Sequence, residues 1–210
     1  MRDTAIDAIL EHAEAGAVLR KSFFAKNAGP LARLALRMAL TLARGNKILF
    51  CGNGGSAADC QHLAAEFVNR FLMDRPPLAA IALTTDTSIL TAIGNDFGFE
   101  LAFAKQVQAL GNAGDMLVCL STSGNSGNII AALKAAAERG LHTVGMTGAG
   151  GGKIAGLCDT LVTVEDARTP LVQEIHITTG HLLCGLTDYY LFENVSALAP
   201  YLDGSKSLDG

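Results

Sequence analysis

Five short apolar runs, each followed by a turn rich in small or polar residues, constrain this chain more than any other feature: Lys47–Cys51, Ala79–Leu83, Met116–Leu120, Thr143–Met146 and Thr160–Val164. Unbroken apolar runs of strand length, separated by helical stretches, are what a parallel sheet buried on both faces requires. The expected class is therefore α/β, a five-stranded parallel sheet flanked by helices on both faces. Helices are expected at 57–72, 99–110, 127–139 and 171–193. Ahead of the sheet, residues 3–25 carry Ile6, Ile9, Leu10, Ala13 and Ala17 at helical spacing, and a second helix runs to about Ala43 before the Gly45-Asn46 stop. Residues 1–45 thus read as an N-terminal helical pair, Gly148–Gly152 as a tight glycine turn, and 202–210 as a flexible polar tail. In an open parallel sheet ligands bind beyond the carboxyl ends of the strands. Chemistry is expected in the turns after Cys51, Leu83, Leu120 and Met146.

A length of 210 residues suits one domain over the whole chain, 1–210. Leu31–Leu42 is apolar nearly all round, relieved by Arg33 and Arg37, and is expected to be buried in an oligomer. The net charge of -4 without a Lys/Arg cluster gives no footprint for nucleic acid or an anionic membrane, which leaves small molecules and sibling subunits as partners. The five cysteines are odd in number, scattered and free of any C-x-x-C pair, so neither a disulfide framework nor a thiolate zinc knuckle is expected. Arg2, Asp3, Asp7 and Glu11 interrupt any secretory signal, and no window reaches the ~18 consecutive apolar residues of a membrane span. A cytoplasmic protein is expected.

Two turns have the makings of an anion site. Gly52-Asn53-Gly54-Gly55-Ser56 runs straight into a helix, where glycines let a ligand approach the backbone and free N–H groups attract negative charge. The same stretch matches G-x-G-x-x-A, but the acidic residue that a dinucleotide site needs about 20 positions on is missing, Asp86 lying too far along. No Walker loop occurs. The second turn, Ser121-Thr122-Ser123-Gly124-Asn125-Ser126, crowds four hydroxyls between a strand and a helix with no charged side chain. A helix cap needs only one hydroxyl, so this turn reads as a phosphate cradle.

His62 and Glu66, spaced i, i+4, share one face of the helix that starts at the first turn. Such a pair is half of a metal site or an ordinary solvated pair. Gln173 and His181 lie about two turns apart on the otherwise apolar C-terminal helix. His12, His142 and His176 read as hydrogen-bonded core or surface residues.

Cys51–Glu66, Gly94-Asn-Asp-Phe-Gly98, Ser121–Ser126 and Gln173-Glu-Ile-His-Ile-Thr-Thr-Gly-His181 together resemble the phosphoheptose isomerase family of the sugar isomerase (SIS) fold, in order and over nearly the whole chain. The resemblance implies a cytoplasmic homotetramer with active sites between subunits. It also implies conversion of sedoheptulose 7-phosphate to D-glycero-D-manno-heptose 7-phosphate, toward lipopolysaccharide heptose. It implies one zinc per subunit on His62, Glu66, Gln173 and His181, with Glu66 and His181 catalytic. Substrate contacts fall on Asn53, Gly54, Gly55, Glu66, Asn95, Asp96, Ser121, Thr122, Ser123, Ser126 and Gln173. Family members often carry an acidic sugar-binding residue shortly before Gln173, and Ala167–Val172 offers no counterpart.

Two other classes compete. Asn69-Arg70-Phe71, Arg75-Pro76 and Ala80–Asp86 also look like SIS-fold assembly factors that bind the replication initiator DnaA. That group lacks the counterparts of Glu66 and His181, which this chain has. A sugar-phosphate sensor would need the phosphate turns but no base or acid.

Overall fold

The computed structural model describes residues 4–208. Its centre is a five-stranded parallel sheet in the order β2-β1-β3-β4-β5, built from β1 (Ile48–Gly52), β2 (Ala80–Ala82), β3 (Met116–Ser121), β4 (His142–Thr147) and β5 (Thr160–Thr163). Side chains alternate between two buried faces. Ile48, Phe50, Met116, Val118 and Leu120 point to one core, while Leu49, Cys51, Leu117 and Cys119 point to the other. This two-sided burial is why the strands read as continuous apolar runs rather than as alternating ones.

On the first face lie α1 (Thr4–Ala43), α2 (Gly55–Val68) and α6 (Thr169–Asp188). The second carries α4 (Ala104–Leu110), α5 (Gly127–Glu138) and two 3₁₀ turns. α3 (Thr87–Phe97) connects β2 to α4 and contributes no buried residue, and α6 runs on through a π turn, Tyr189–Glu193, toward the short α7 (Ala199–Leu202).

Three expectations need correction. The N-terminal helical pair is one 40-residue helix with Pro30 inside it. An interior proline costs about 3 kcal/mol; here the following turns are anchored by packing of Leu31, Leu34, Ala35 and Met38 on the sheet, and the Asn27 amide donates to the Phe23 carbonyl. The segment 31–42, expected to be buried in an oligomer, is buried against its own chain, while the large exposed apolar residues of α1 are Ile6, Ile9, Leu10 and Val18. The 202–210 tail is partly built: Ser205 Oγ and Lys206 N both donate to the Pro200 carbonyl, and Leu208 packs with Leu36 and Leu198. Residues 209–210 lie outside the described residues, as does residue 3.

The thiols are all free, and burial pushes Cys158 up to about 11, which leaves it protonated at neutral pH. Among the described residues no helix is long and apolar enough to cross a membrane.

Candidate active site

The strand order reverses between β1 and β3, and the two glycine- and serine-rich turns leave the sheet at that point. They are tied to each other. Asn53 after β1 and Asn128 on the first turn of α5 exchange two amide hydrogen bonds, 2.9 and 2.8 Å long. Gly54 sits at φ 57°, in the left-handed region. Gly124 sits at φ 63°, and a Cβ there would collide with the Gly151 backbone oxygen, so this turn is locked against the Gly148–Gly152 turn.

The serine turn is not spent on capping. Ser126 occupies the N-cap of α5, yet its side chain makes no cap hydrogen bond, and its hydroxyl stands 3.4 Å from that of Ser121. Ser123 Oγ accepts from Asn125 N at 3.2 Å. The Glu100 carboxylate lies against Gly127 at the same helix start, where the helix dipole favours negative charge.

α2 and α6 begin at this mouth and lie side by side in the same direction. A Cβ on Gly55 would come within 2.8 Å of Gln173 Nε2, and one on Gly180 would strike Leu63. These two glycines let the helices approach until His62 Nε2 and His181 Nε2 are 2.8 Å apart, one nitrogen donating to the other. Glu66 Oε1 stands 3.5 Å from His62 Nε2. The His62 side chain is 46% exposed and that of Glu66 21%, so the cluster can meet a ligand from solvent.

The predicted residues are thus brought together in part. His62, Glu66 and His181 form one cluster about two turns along the helices from the mouth, not at the mouth as their position after the first turn suggested. Gln173 lies at the mouth beside Gly55, eight residues and ~12 Å of helix before His181. Asn95 and Asp96 pair with each other at 2.8 Å on exposed α3.

Two residues escaped the sequence reading. Asp59, three residues before His62, is close enough for both imidazoles to stabilise its charge, although burial pushes its carboxyl above the usual range. Its i, i+3 spacing to His62 was a readable signal. Asn128 had none, because its partner Asn53 comes from another strand turn.

Two imidazole nitrogens and a carboxylate are suitable donors for zinc, whereas glutamine is a poor one. Two ligand atoms of one tetrahedral zinc stand roughly 3.3 Å apart, against 2.8 Å for the histidine pair, which here shares a proton. Among the described residues no group of three or more His, Cys, Asp or Glu is arranged to hold a metal ion. The donor chemistry fits zinc; the side-chain positions are those of a hydrogen-bonded pair. His176 faces inward, its Nε2 3.2 Å from the Thr147 carbonyl. His12 and His142 bond Glu174 and Thr160, so these three histidines have the structural roles expected of them.

A five-stranded sheet in this order with two such turns defines an SIS domain, and the SIS domain family model matches residues 11–148. The chain is 71% identical over 204 residues to a phosphoheptose isomerase of Nitratidesulfovibrio vulgaris, covering 97% of this chain and 98% of that one. It superimposes on the phosphoheptose isomerase structure from Neisseria gonorrhoeae with TM-score 0.83 and 46% identity, over 88% of this chain and 98% of that one. The corresponding figures for the Francisella tularensis enzyme are 0.84 and 37%, over 89% and 99%. The chain belongs to the phosphoheptose isomerase family, whose members are sugar-phosphate isomerases.

Proposed function

We propose that this chain interconverts D-sedoheptulose 7-phosphate and D-glycero-D-manno-heptose 7-phosphate through an enediol. The observation that carries the reading is the cluster of Glu66, His62 and His181 on the facing sides of α2 and α6, together with a serine turn whose N-cap hydroxyl makes no cap hydrogen bond. A ketose becomes an aldose when a proton leaves C1 and another arrives at C2. Glu66 takes the C1 proton, and His181 carries protons on the other side of the enediol. Each group contributes about 10²–10⁴-fold.

The phosphate is held by Ser121, Thr122, Ser123 and Ser126 with the free N–H groups that open α5. Holding this remote group positions C1 and C2 against Glu66. Asn53, Gly54, Gly55 and Gln173 line the intervening sugar. Asn95 and Asp96, exposed on α3, meet it from a neighbouring subunit of a homotetramer, so that each site lies between subunits. His62, Glu66, Gln173 and His181 are the residues that would hold a zinc ion, which when bound supplies Lewis-acid stabilisation of negative charge on oxygen. Gln173 must then leave its place against Gly55. The setting is the cytoplasm, and the product serves lipopolysaccharide heptose.

The test is to incubate the chain with sedoheptulose 7-phosphate and follow the aldose phosphate, with and without chelator and with added zinc. Product formation is expected, falling on chelation and returning with zinc. Binding without product under every condition would overturn the reading in favour of a sensor or an assembly factor. Unchanged rates after chelation would remove the zinc and leave the acid–base pair.

A further inference from the structure

The loop between α2 and β2 takes no part in the chemistry proposed above, yet it touches both catalytic helices. Arg75 in this loop is buried, with a side chain 2% exposed. Its Nη1 donates to the carbonyls of Phe67 (2.7 Å), Asn69 (3.2 Å) and Pro76 (3.2 Å). Its Nη2 donates to the Glu66 carbonyl at 2.9 Å and its Nε to Asp188 Oδ1 at 3.0 Å. The last carbonyls of a helix lack partners within it and favour a cation; Glu66 and Phe67 supply two of these for α2. Asp188 is the last residue of α6. One guanidinium therefore fastens the ends of the two helices that carry Glu66 and His181.

Phe71 belongs to the same loop. Its ring stacks on His181, with centroids 5.5 Å apart and planes 22° apart, and it passes over Gly185 on the next turn of α6. Both residues lie in the stretch that also looks like the DnaA-binding assembly factors, but in this fold their side chains turn toward α2 and α6. The four carbonyls need a donor, but stability alone gives no reason for the same guanidinium to join α2 to α6, because the ion pair itself is often matched by apolar residues of similar volume. Position does give one. A misplacement of about 1 Å costs roughly 100-fold in rate.

We propose that Arg75 and Phe71 are positioning residues, holding the Glu66 segment and the His181 ring in register for proton transfer. The proposal rests on the assignment of Glu66 and His181 as the acid–base pair. Its test measures kcat and KM for sedoheptulose 7-phosphate, with thermal midpoints, in Phe71→Leu, Phe71→Tyr and the double variant Arg75→Met/Asp188→Leu. Phe71→Leu is expected to lower kcat about 10- to 100-fold with KM within about twofold, and Phe71→Tyr, which keeps the stacked ring, to restore it. The double variant replaces the ion pair but leaves four carbonyls without their donor, so its midpoint should fall, and at matched folded fraction it should still lose kcat to a similar extent. Wild-type kcat in Phe71→Leu or in the double variant would overturn the proposal, as would a kcat loss that vanishes at matched folded fraction or that Phe71→Tyr leaves unrepaired. Should the parent chain itself show no turnover, the functional reading fails instead. The clamp is then judged by the His181 imidazole resonances, which Phe71→Leu should move and Phe71→Tyr largely keep; no movement overturns it.

Discussion

The amino edge of the sheet and the α6 side of the molecule treat buried polar groups in opposite ways. At the amino edge Asp115 accepts from Lys47 N (2.9 Å), Lys47 Nζ (2.5 Å) and Asn112 N (2.8 Å). Asp159 there accepts from the backbone and hydroxyl of Thr143, both at 2.8 Å, and Arg139 donates twice to the Gly111 carbonyl. Along α6 the accounts stay open. The five buried side-chain polar atoms without a partner, among the described residues, are Thr147 Oγ1, His176 Nδ1, Thr179 Oγ1, Thr187 Oγ1 and Asp188 Oδ2, all on α6 or beneath it at the end of β4. An unpaired buried polar group costs about 1–3 kcal/mol. The amino edge is arranged for stability, whereas the helix that carries Gln173 and His181 tolerates this cost, as a functional region is expected to.

The contrast should break most visibly at Glu66. Replacing it by Gln keeps the shape and removes the proposed base, so kcat should fall about 10³-fold with little change in KM or in the unfolding midpoint. Near wild-type turnover would move the base elsewhere, with Asp59 the next carboxylate on that face. Asp115→Ala is the mirror experiment. It leaves Lys47 and two N–H groups without their acceptor, so stability to urea should drop by about 3 kcal/mol while kcat and KM stay unchanged. A loss of activity at matched folded fraction would mean that the two ends are not independent.

How far the sequence reveals this division follows from what each element depends on. The strands were placed to within about a residue at most ends, because burial on both faces leaves a strong local signature. α3 was missed although its start was marked: Asp86 Oδ1 caps the helix by accepting from Ile89 N at 2.8 Å. α3 carries Ile89, Leu90, Ile93 and Phe97 at helical spacing and packs Leu90 on the second core, so its local pattern favoured a helix and went unread. The unity of α1 across Pro30 was illegible, since packing on the sheet offsets a local breaker. At the site, His62 and Glu66 were readable from i, i+4 spacing. That His181 meets His62 while Gln173 sits at Gly55 depends on how α6 is placed beside α2, which neither helix encodes alone. The family resemblance pointed to these residues without giving that separation.

The smallest expected effect is also the one that separates the two sides of α6 itself. His181 faces the exposed site, and His176, five residues earlier, is wholly buried with one ring nitrogen unpaired. Burial pushes His176 down from 6.5 to about 4, opposed by its bond to the Thr147 carbonyl. Between these values the unfolded chain binds a proton that the folded chain does not, so stability is full above pH 6.5 and declines as the pH falls toward 4. At about 1.4 kcal/mol per pH unit, the imidazole should remove about 2 kcal/mol between pH 7 and pH 5. Urea titrations at the two pH values should show that loss in the parent chain and a flatter response in His176→Gln. Equal slopes in both would assign the acid sensitivity to carboxylates elsewhere and make the inward face of α6 as inert as the amino edge.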